Sequence, residues 1–128
     1  MGLVYDKDRK IQITKEFTFD SAHFLKEYEG ECSNLHGHTY YLLVTLEGYV
    51  NDIGMLIDFK ELKEIIDKNI ISRLDHKCIN HVLDSNPTAE NMVCIIFDML
   101  SEMINCGKVW VKRVELYETP TSKAICER

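Results

Sequence analysis

No C-x-x-C pair occurs anywhere in these 128 residues, although the chain carries five cysteines. Without that spacing a zinc-finger knuckle has no ligand framework, and an odd number of thiols cannot all pair in disulfides. Reduced thiols in a cytosol are the expectation, and with them a cytoplasmic location. A basic surplus is also missing. Lysine and arginine number 15 against 21 aspartates and glutamates, a formal net charge of −6. That balance argues against broad attraction to nucleic acid or to an anionic membrane surface; an anionic small substrate would need a local group of lysines. Long apolar runs are lacking too. The longest, around Tyr40 to Leu46, is far too short to span a bilayer, and Met1 to Asp8 shows no apolar core of signal-peptide length. Proline occurs only twice, at Pro87 and Pro120, both at apparent element boundaries, and no linker, repeat or low-complexity stretch divides the chain. With 45% hydrophobic and 28% charged residues, the composition reads as one globular domain over 1–128 with a real core.

What the chain does have is histidine in one place. Three of its five histidines, His23, His36 and His38, fall within sixteen positions. His36-Gly37-His38 runs into Thr39-Tyr40-Tyr41-Leu42-Leu43-Val44-Thr45-Leu46, a β-branched, aromatic and apolar segment that predicts a strand. Residues two apart in a strand share a face, so both imidazoles point the same way while Gly37 leaves the other face bare. With His23 they supply three nitrogen ligands and leave a fourth position open, the arrangement of a catalytic zinc. The spacing favours metal over a chance cluster of imidazoles. A closed structural zinc using Cys32, four residues before His36, remains the rival. Its loop, Glu29 to Asn34, looks mobile and exposed, and either way a thiol beside a dication is acidified.

The rest of the pattern predicts an α+β domain. Ile11, Ile13, Phe17, Phe19, Ser21 and His23 share one parity, with Lys15 the exception, so a strand ends at His23 on its apolar side. A second strand runs from His38 to about Leu46 or Val50, and a turn follows at Asn51-Asp52-Ile53-Gly54. Asp58 is placed as the N-cap of a helix whose stripe is Phe59, Leu62, Ile66 and Ile70. A second helix starts near Asn86-Pro87-Thr88-Ala89-Glu90, carries Met92, Ile95, Ile96, Met99, Leu100 and Met103, and stops at Asn105-Cys106-Gly107. Trp110, Val114 and Leu116 mark a third strand ending near Glu118, and a short fourth covers about Lys123 to Cys126. The order ββααββ with short turns predicts a four-stranded antiparallel sheet with both helices on one face. If the other face is apolar, oligomerisation is the natural way to bury it.

Further residues carry possible chemistry. Asp75-His76 is a common solvated loop pair, but beside a free Cys32 it completes the parts of a proton-transfer set in which the carboxylate orients the imidazole. Glu118 shares parity with Trp110, Val114 and Leu116; a carboxylate on a buried face must be paired. It could cap backbone, or accept two N–H bonds from a planar guanine-like ring. Glu90, in a first helical turn, reads mainly as a dipole-favoured residue. His81, Cys78, Cys94, Cys106 and Cys126 read as loop or core filler.

Taken together, Phe19-Asp20-Ser21-Ala22-His23, Cys32-x-x-x-His36-Gly37-His38, Gly54-Met55-Leu56-Ile57-Asp58-Phe59-x-x-Leu62-Lys63, Leu74-Asp75-His76, Pro87-Thr88-Ala89-Glu90-Asn91 and Tyr117-Glu118-Thr119 resemble the 6-pyruvoyltetrahydropterin synthase / 6-carboxytetrahydropterin synthase family, in family order. The resemblance implies the tunnelling fold, with subunits in trimers that stack as dimers of trimers. It implies Zn2+ on His23, His36 and His38, with Cys32 as general base. Asp75 and His76 would be its relay partners, from a neighbouring subunit, and Glu118 the pterin anchor, helped by Thr88 and Glu90. The implied substrate is 7,8-dihydroneopterin triphosphate. The three residues between Cys32 and His36 resemble the 6-carboxytetrahydropterin synthases of the queuosine-precursor pathway, whose products are 6-carboxytetrahydropterin, acetaldehyde and triphosphate. The 6-pyruvoyl enzymes have a longer insert there, and a third branch, forming hydroxymethylpterin, has glutamate in place of the cysteine. Phe24 departs from the arginine many members carry, which leaves the triphosphate contacts open, with Lys26 and Lys123 as candidates.

Overall fold

Thirteen residues of alternating exposed and buried side chains open the fold. In the computed structural model, which describes residues 2–128, strand β1 (Ile11–His23) turns Phe17, Phe19, Ser21 and His23 inward. β2 (His36–Gly48) pairs with it antiparallel from His23↔His36 to Ile11↔Gly48. β2 therefore starts two residues before the expected His38, and both histidines are strand residues. β3 (Val109–Thr119) and β4 (Ser122–Glu127) complete a sheet of order β1-β2-β3-β4, antiparallel throughout.

Two helical rods cover one face. The first is α1 (Phe59–Ile66), a π turn (Asp67–Ile71) and α2 (Ser72–Leu74) in series. Asp58 caps α1 as its side chain accepts the Lys60 N–H at 2.8 Å. In the π turn, Asn69 Nδ2 and Ser72 Oγ donate to the carbonyls of Ile65 and Lys68, which gives oxygens of the widened backbone their partners. The apolar stripe survives the widening, because Leu62, Ile66, Ile70 and Leu74 are all buried. The second rod is α3 (Ala89–Met103), capped by Thr88, whose hydroxyl oxygen accepts the Asn91 N–H at 3.1 Å. Its Met92, Ile96 and Leu100 pack with Leu42, Val44, Leu46, Val114 and Leu116 of the sheet. Each fully buried side chain of that kind contributes about 1.5–3 kcal/mol.

Trp110 departs from the expected parity. The β2–β3 register shifts between Thr45 and Leu46, so Thr45 pairs with Arg113 but Leu46 with Val111. The extra residue, Lys112, is a β-bulge that reverses inside and outside. Val109 and Val111 are buried beside Val114 and Leu116, while Trp110 pairs with Glu47 and meets Tyr49 edge-on. The face away from the helices is mixed: Tyr41, Leu43, Tyr117 and Ile125 lie on it beside polar side chains. It is laced by Gln12–Glu47, Thr14–Thr45, Arg113–Glu115 and Lys123–Glu115 contacts.

The free edge of β1 is covered at its functional end. The Ala22 N–H donates to the Lys77 carbonyl at 3.0 Å and the His76 N–H to that of Asp20 at 2.7 Å. Beyond the strand, Asn80 holds both the N–H and the carbonyl of Phe24. Thus residues 76–80 lock the end of β1 that carries His23. Among the described residues no helix is long and apolar enough to cross a membrane.

Candidate metal centre

Cross-strand pairing brings the three histidines together. His23 faces His36 directly and Ser21 faces His38, so the rings meet on the helix side of the sheet. Their centroids lie 4.6, 4.8 and 5.1 Å apart, with interplanar angles of 66°, 87° and 88°.

The tautomers follow from the partners. His23 Nδ1 lies 2.8 Å from the Pro87 carbonyl oxygen, and His36 Nδ1 lies 2.7 Å from that of Asn34. A carbonyl only accepts, so each Nδ1 carries the hydrogen and each Nε2 is a bare lone pair. Those two Nε2 atoms stand 3.0 Å apart. Two acceptors at that distance repel each other unless a cation lies between them. The third, His38 Nε2, is buried without a hydrogen-bond partner. Glu118 Oε1 is 3.1 Å from it and 4.0 Å from His23 Nε2, but off the N–H axis. The four ligand atoms all lie within 4.8 Å of one another.

Zinc bonds of about 2.0–2.1 Å at tetrahedral angles set neighbouring ligand atoms about 3.3 Å apart, so this donor set fits a zinc ion. Burial, the largest influence, lowers the pKa of His23 and of His38. Burial first, and then Glu118, pushes the Tyr40 phenol up, so Tyr40 keeps its proton. Its hydroxyl lies 3.3 Å from His23 Nδ1.

The residues matching known proteins run from 12 to 128, where the chain fits the model of "6-pyruvoyl tetrahydropterin synthase". The chain belongs to that family. Among its relatives, a 6-carboxy-5,6,7,8-tetrahydropterin synthase of Haemophilus influenzae is 34% identical over 91% of this chain and 96% of its own length. A dihydroneopterin monophosphate aldolase of Pyrococcus furiosus is 38% identical over 85% and 90%. The solved 6-pyruvoyl tetrahydropterin synthase of Caenorhabditis elegans superimposes with a TM-score of 0.84 at 22% identity, covering 97% of this chain and 99% of that one. The fold is therefore the tunnelling fold of this family, with four antiparallel strands and two helices on one face. Membership makes the chain a pterin-processing protein with a small-molecule substrate.

The other candidate residues of this family member fall into three places. Cys32 sits in a one-turn 3-10 helix (Glu31–Ser33), half-buried, and its sulfur is outside the group of four ligand atoms. A site closed by three histidines and Cys32 is not assembled here. Asp75 and His76 form a separate cluster with Asp20. Asp75 Oδ1 accepts the Asp20 N–H at 2.9 Å and Oδ2 lies 3.0 Å from His76 Nδ1. The Asp20 N–H first, then His76, holds the Asp75 carboxyl below the usual range. His76 is exposed and its backbone is left-handed, φ 57°, a conformation that costs a non-glycine residue about 1–3 kcal/mol. Glu90 and Glu118 line a cleft of about 500 Å³ between α3 and strands β3 and β4, with Lys123 on its wall. Thr88 spends its oxygen on the α3 cap.

Sequence reasoning missed the groups behind the histidines. Tyr40 was within reach, since it continues the parity of His36 and His38. The carbonyls of Asn34 and Pro87 carry no side-chain signal, and only the fold brings them to the rings.

Proposed function

We propose that this chain is a zinc-dependent 6-carboxytetrahydropterin synthase, converting 7,8-dihydroneopterin triphosphate and one water to 6-carboxytetrahydropterin, acetaldehyde and triphosphate for a queuosine precursor. The observation that carries the metal is the pair of bare Nε2 atoms of His23 and His36 at 3.0 Å. The branch rests on the Cys32-x-x-x-His36 spacing and on the Haemophilus relative, which matches nearly end to end.

His23, His36 and His38 hold the ion through Nε2 in this reading. Bound there, zinc supplies Lewis acidity toward the side-chain hydroxyls of the pterin. Cys32, as a thiolate, takes a carbon-bound proton from that side chain. His76, oriented by Asp75 Oδ2, returns a proton; its separation from the histidine cluster within one chain supports a relay supplied by a neighbouring subunit. Glu118 accepts the pterin ring N–H groups in the cleft, with Glu90 beside it and Thr88 at the head of α3. Because oxidation of the side chain accompanies reduction of the ring, no external hydride donor is needed. Among the described residues no further strand pairs with the outer edge of β4 or with that of β1 before its covered His23 end, which supports a trimer or dimer of trimers closed edge to edge. Residues 1–128 act as one domain in the cytoplasm.

A second reading is aldolase-type cleavage to a hydroxymethylpterin, favoured by the Pyrococcus relative and by Glu31 next to Cys32. Incubating zinc-loaded protein with 7,8-dihydroneopterin triphosphate, followed by mass analysis, separates the readings. A 6-carboxytetrahydropterin with acetaldehyde supports the first. A hydroxymethyl or pyruvoyl product moves the chain to another branch. No turnover by folded, metal-replete protein overturns the enzymatic reading.

A further inference from the structure

We infer that Asn80 and Asn86 are positioning residues for Cys32: their side-chain amides replace a partner strand along residues 24–26, and that segment in turn pins the Cys32 main chain relative to His23. This rests on the reading of Cys32 as the base that takes a carbon-bound proton.

In extended chain, residues two apart send their hydrogen-bonding groups to the same edge. Along the outer edge of β1 and its continuation those residues are Asp20, Ala22, Phe24 and Lys26. Main-chain groups serve the first two, since the His76 N–H donates to the Asp20 carbonyl and the Ala22 N–H to that of Lys77. The covering chain then turns into a 3-10 helix, Ile79–His81, and asparagine side chains take over. Asn80 Oδ1 accepts the Phe24 N–H at 3.0 Å while its Nδ2 donates to the Phe24 carbonyl at 2.9 Å. Asn86 repeats the pattern one step on. Its Oδ1 accepts the Lys26 N–H at 2.9 Å and its Nδ2 donates to the Lys26 carbonyl at 3.3 Å. A carboxamide offers both an acceptor and a donor, as a peptide group does, so each asparagine satisfies a whole strand residue.

Leu25 faces the opposite edge, and its N–H donates to the Cys32 carbonyl at 2.9 Å. The loop 26–31 is therefore closed at its base, and the closing residue is the one that carries the thiol. The same frame reaches a metal-centre histidine. Pro87, next to Asn86, offers its carbonyl to His23 Nδ1 at 2.8 Å. The Asn86 carbonyl is itself held by the Thr88 N–H and by Asn91 Nδ2, both at 2.9 Å. One short segment ahead of α3 thus fixes His23 directly, and Cys32 through Lys26 and Leu25. Misplacing a reacting group by about 1 Å costs up to about 100-fold in rate, so the asparagines act on turnover rather than on metal binding.

The test uses full-length, zinc-loaded protein as wild type, Asn80→Ala and Asn86→Ala. Asn80→Asp and Asn86→Asp, which keep the acceptor and lose the donor, accompany them. Amide hydrogen exchange is read at Leu25 and, as a folding control, at Leu42 and Val44 of β2. Alkylation of Cys32 by iodoacetamide is followed on its peptide by mass spectrometry, and zinc affinity by chelator competition. Turnover of 7,8-dihydroneopterin triphosphate gives kcat and KM. Leu25 exchange and Cys32 alkylation should each accelerate by about 10-fold, the worth of one lost hydrogen bond. Protection in β2 and zinc affinity should hold, and kcat should fall by about 10- to 100-fold at constant KM. A purely structural role would lower Tm without that split between kcat and KM. If the alanine variants lose protection in β2, the aspartate variants decide, with smaller changes in the same direction. Unchanged Leu25 exchange and Cys32 alkylation in folded variants would overturn the inference, and so would faster exchange with kcat intact. If wild type itself shows no turnover, the reading of Cys32 as base falls and takes the catalytic half with it, while Leu25 exchange still decides whether the asparagines hold the loop.

Discussion

His23 and His36 aim their Nε2 atoms at each other across 3.0 Å, while their Nδ1 atoms donate to the carbonyls of Pro87 and Asn34. The fold therefore holds two acceptors face to face and spends backbone contacts to keep them there. A cation relieves this, so metal binding and folding are coupled. Zinc at 100 times its dissociation constant should add about 2.7 kcal/mol, which for a domain of this size raises Tm by roughly 10 °C. Scanning calorimetry with and without zinc checks it; an unchanged Tm would count against a site at these residues.

The backing of His23 is shared between Pro87 and Tyr40, and the two contributions separate. Tyr40→Phe keeps the ring stacked 4.9 Å from Phe19 but deletes the hydroxyl near Nδ1. Because the Pro87 carbonyl still fixes the tautomer, zinc affinity should fall by about 10-fold, the lower end for groups behind a metal ligand. Chelator competition measures this. A loss several orders larger would mean that Tyr40, not Pro87, orients the ring.

Cys32→Ala divides the proposed base from a ligand. The sulfur lies outside the four-atom group and on a half-buried turn. Zinc content and Tm should therefore stay at wild-type values while kcat falls by at least about 100-fold. Retained turnover would remove Cys32 from the chemistry; lost zinc would restore it as a ligand.

Much of this site can be read from strand periodicity. His36, His38 and Tyr40 share a face because side chains alternate, and the Asp58 and Thr88 caps are visible as side-chain types before apolar stripes. Trp110 is misplaced by the same rule, because a bulge at Lys112 adds a residue that no parity count detects. The proximity of Glu118 to His38 depends on pairing β2 with β3 across more than seventy residues of chain, and the fixing of His23 depends on one backbone oxygen. Neither leaves a local pattern. The docking of residues 76–80 onto the edge of β1 is equally silent, since it uses main-chain groups and Asn80.

Asp75 serves both that docking and His76. One oxygen accepts the Asp20 N–H and the other faces His76 Nδ1. Asp75→Asn retains a single carbonyl oxygen, enough for Asp20, and turns an amide N–H2 toward the imidazole. Stability should change little, zinc affinity not at all, and kcat should fall by about 10-fold or more if His76 moves a proton. An unaltered kcat with weakened folding would leave Asp75 a purely structural capping residue.

Glu115 sets the acid limit of the sheet. On the face away from the helices it accepts Lys123 Nζ at 2.8 Å and lies 3.4 Å from Arg113 Nε, with only 11% of its side chain exposed. Lys123 first, and Arg113 less, holds its carboxyl below the ordinary range against the opposing effect of burial. A depressed folded-state pKa means that the unfolded chain takes up the proton first as pH falls. The stabilisation is thus complete above the ordinary glutamate pKa of about 4.3 and drains away as pH drops through the lower folded value. Glu115→Gln should be less stable at pH 7 and should lose less between pH 5 and 3. Urea unfolding at a series of pH values measures both limbs. Adding Lys123→Met to Glu115→Gln should recover part of the neutral-pH loss, because the stranded ammonium is removed with its partner. Parallel stability curves for wild type and Glu115→Gln across that acid range would show that another carboxylate carries the transition.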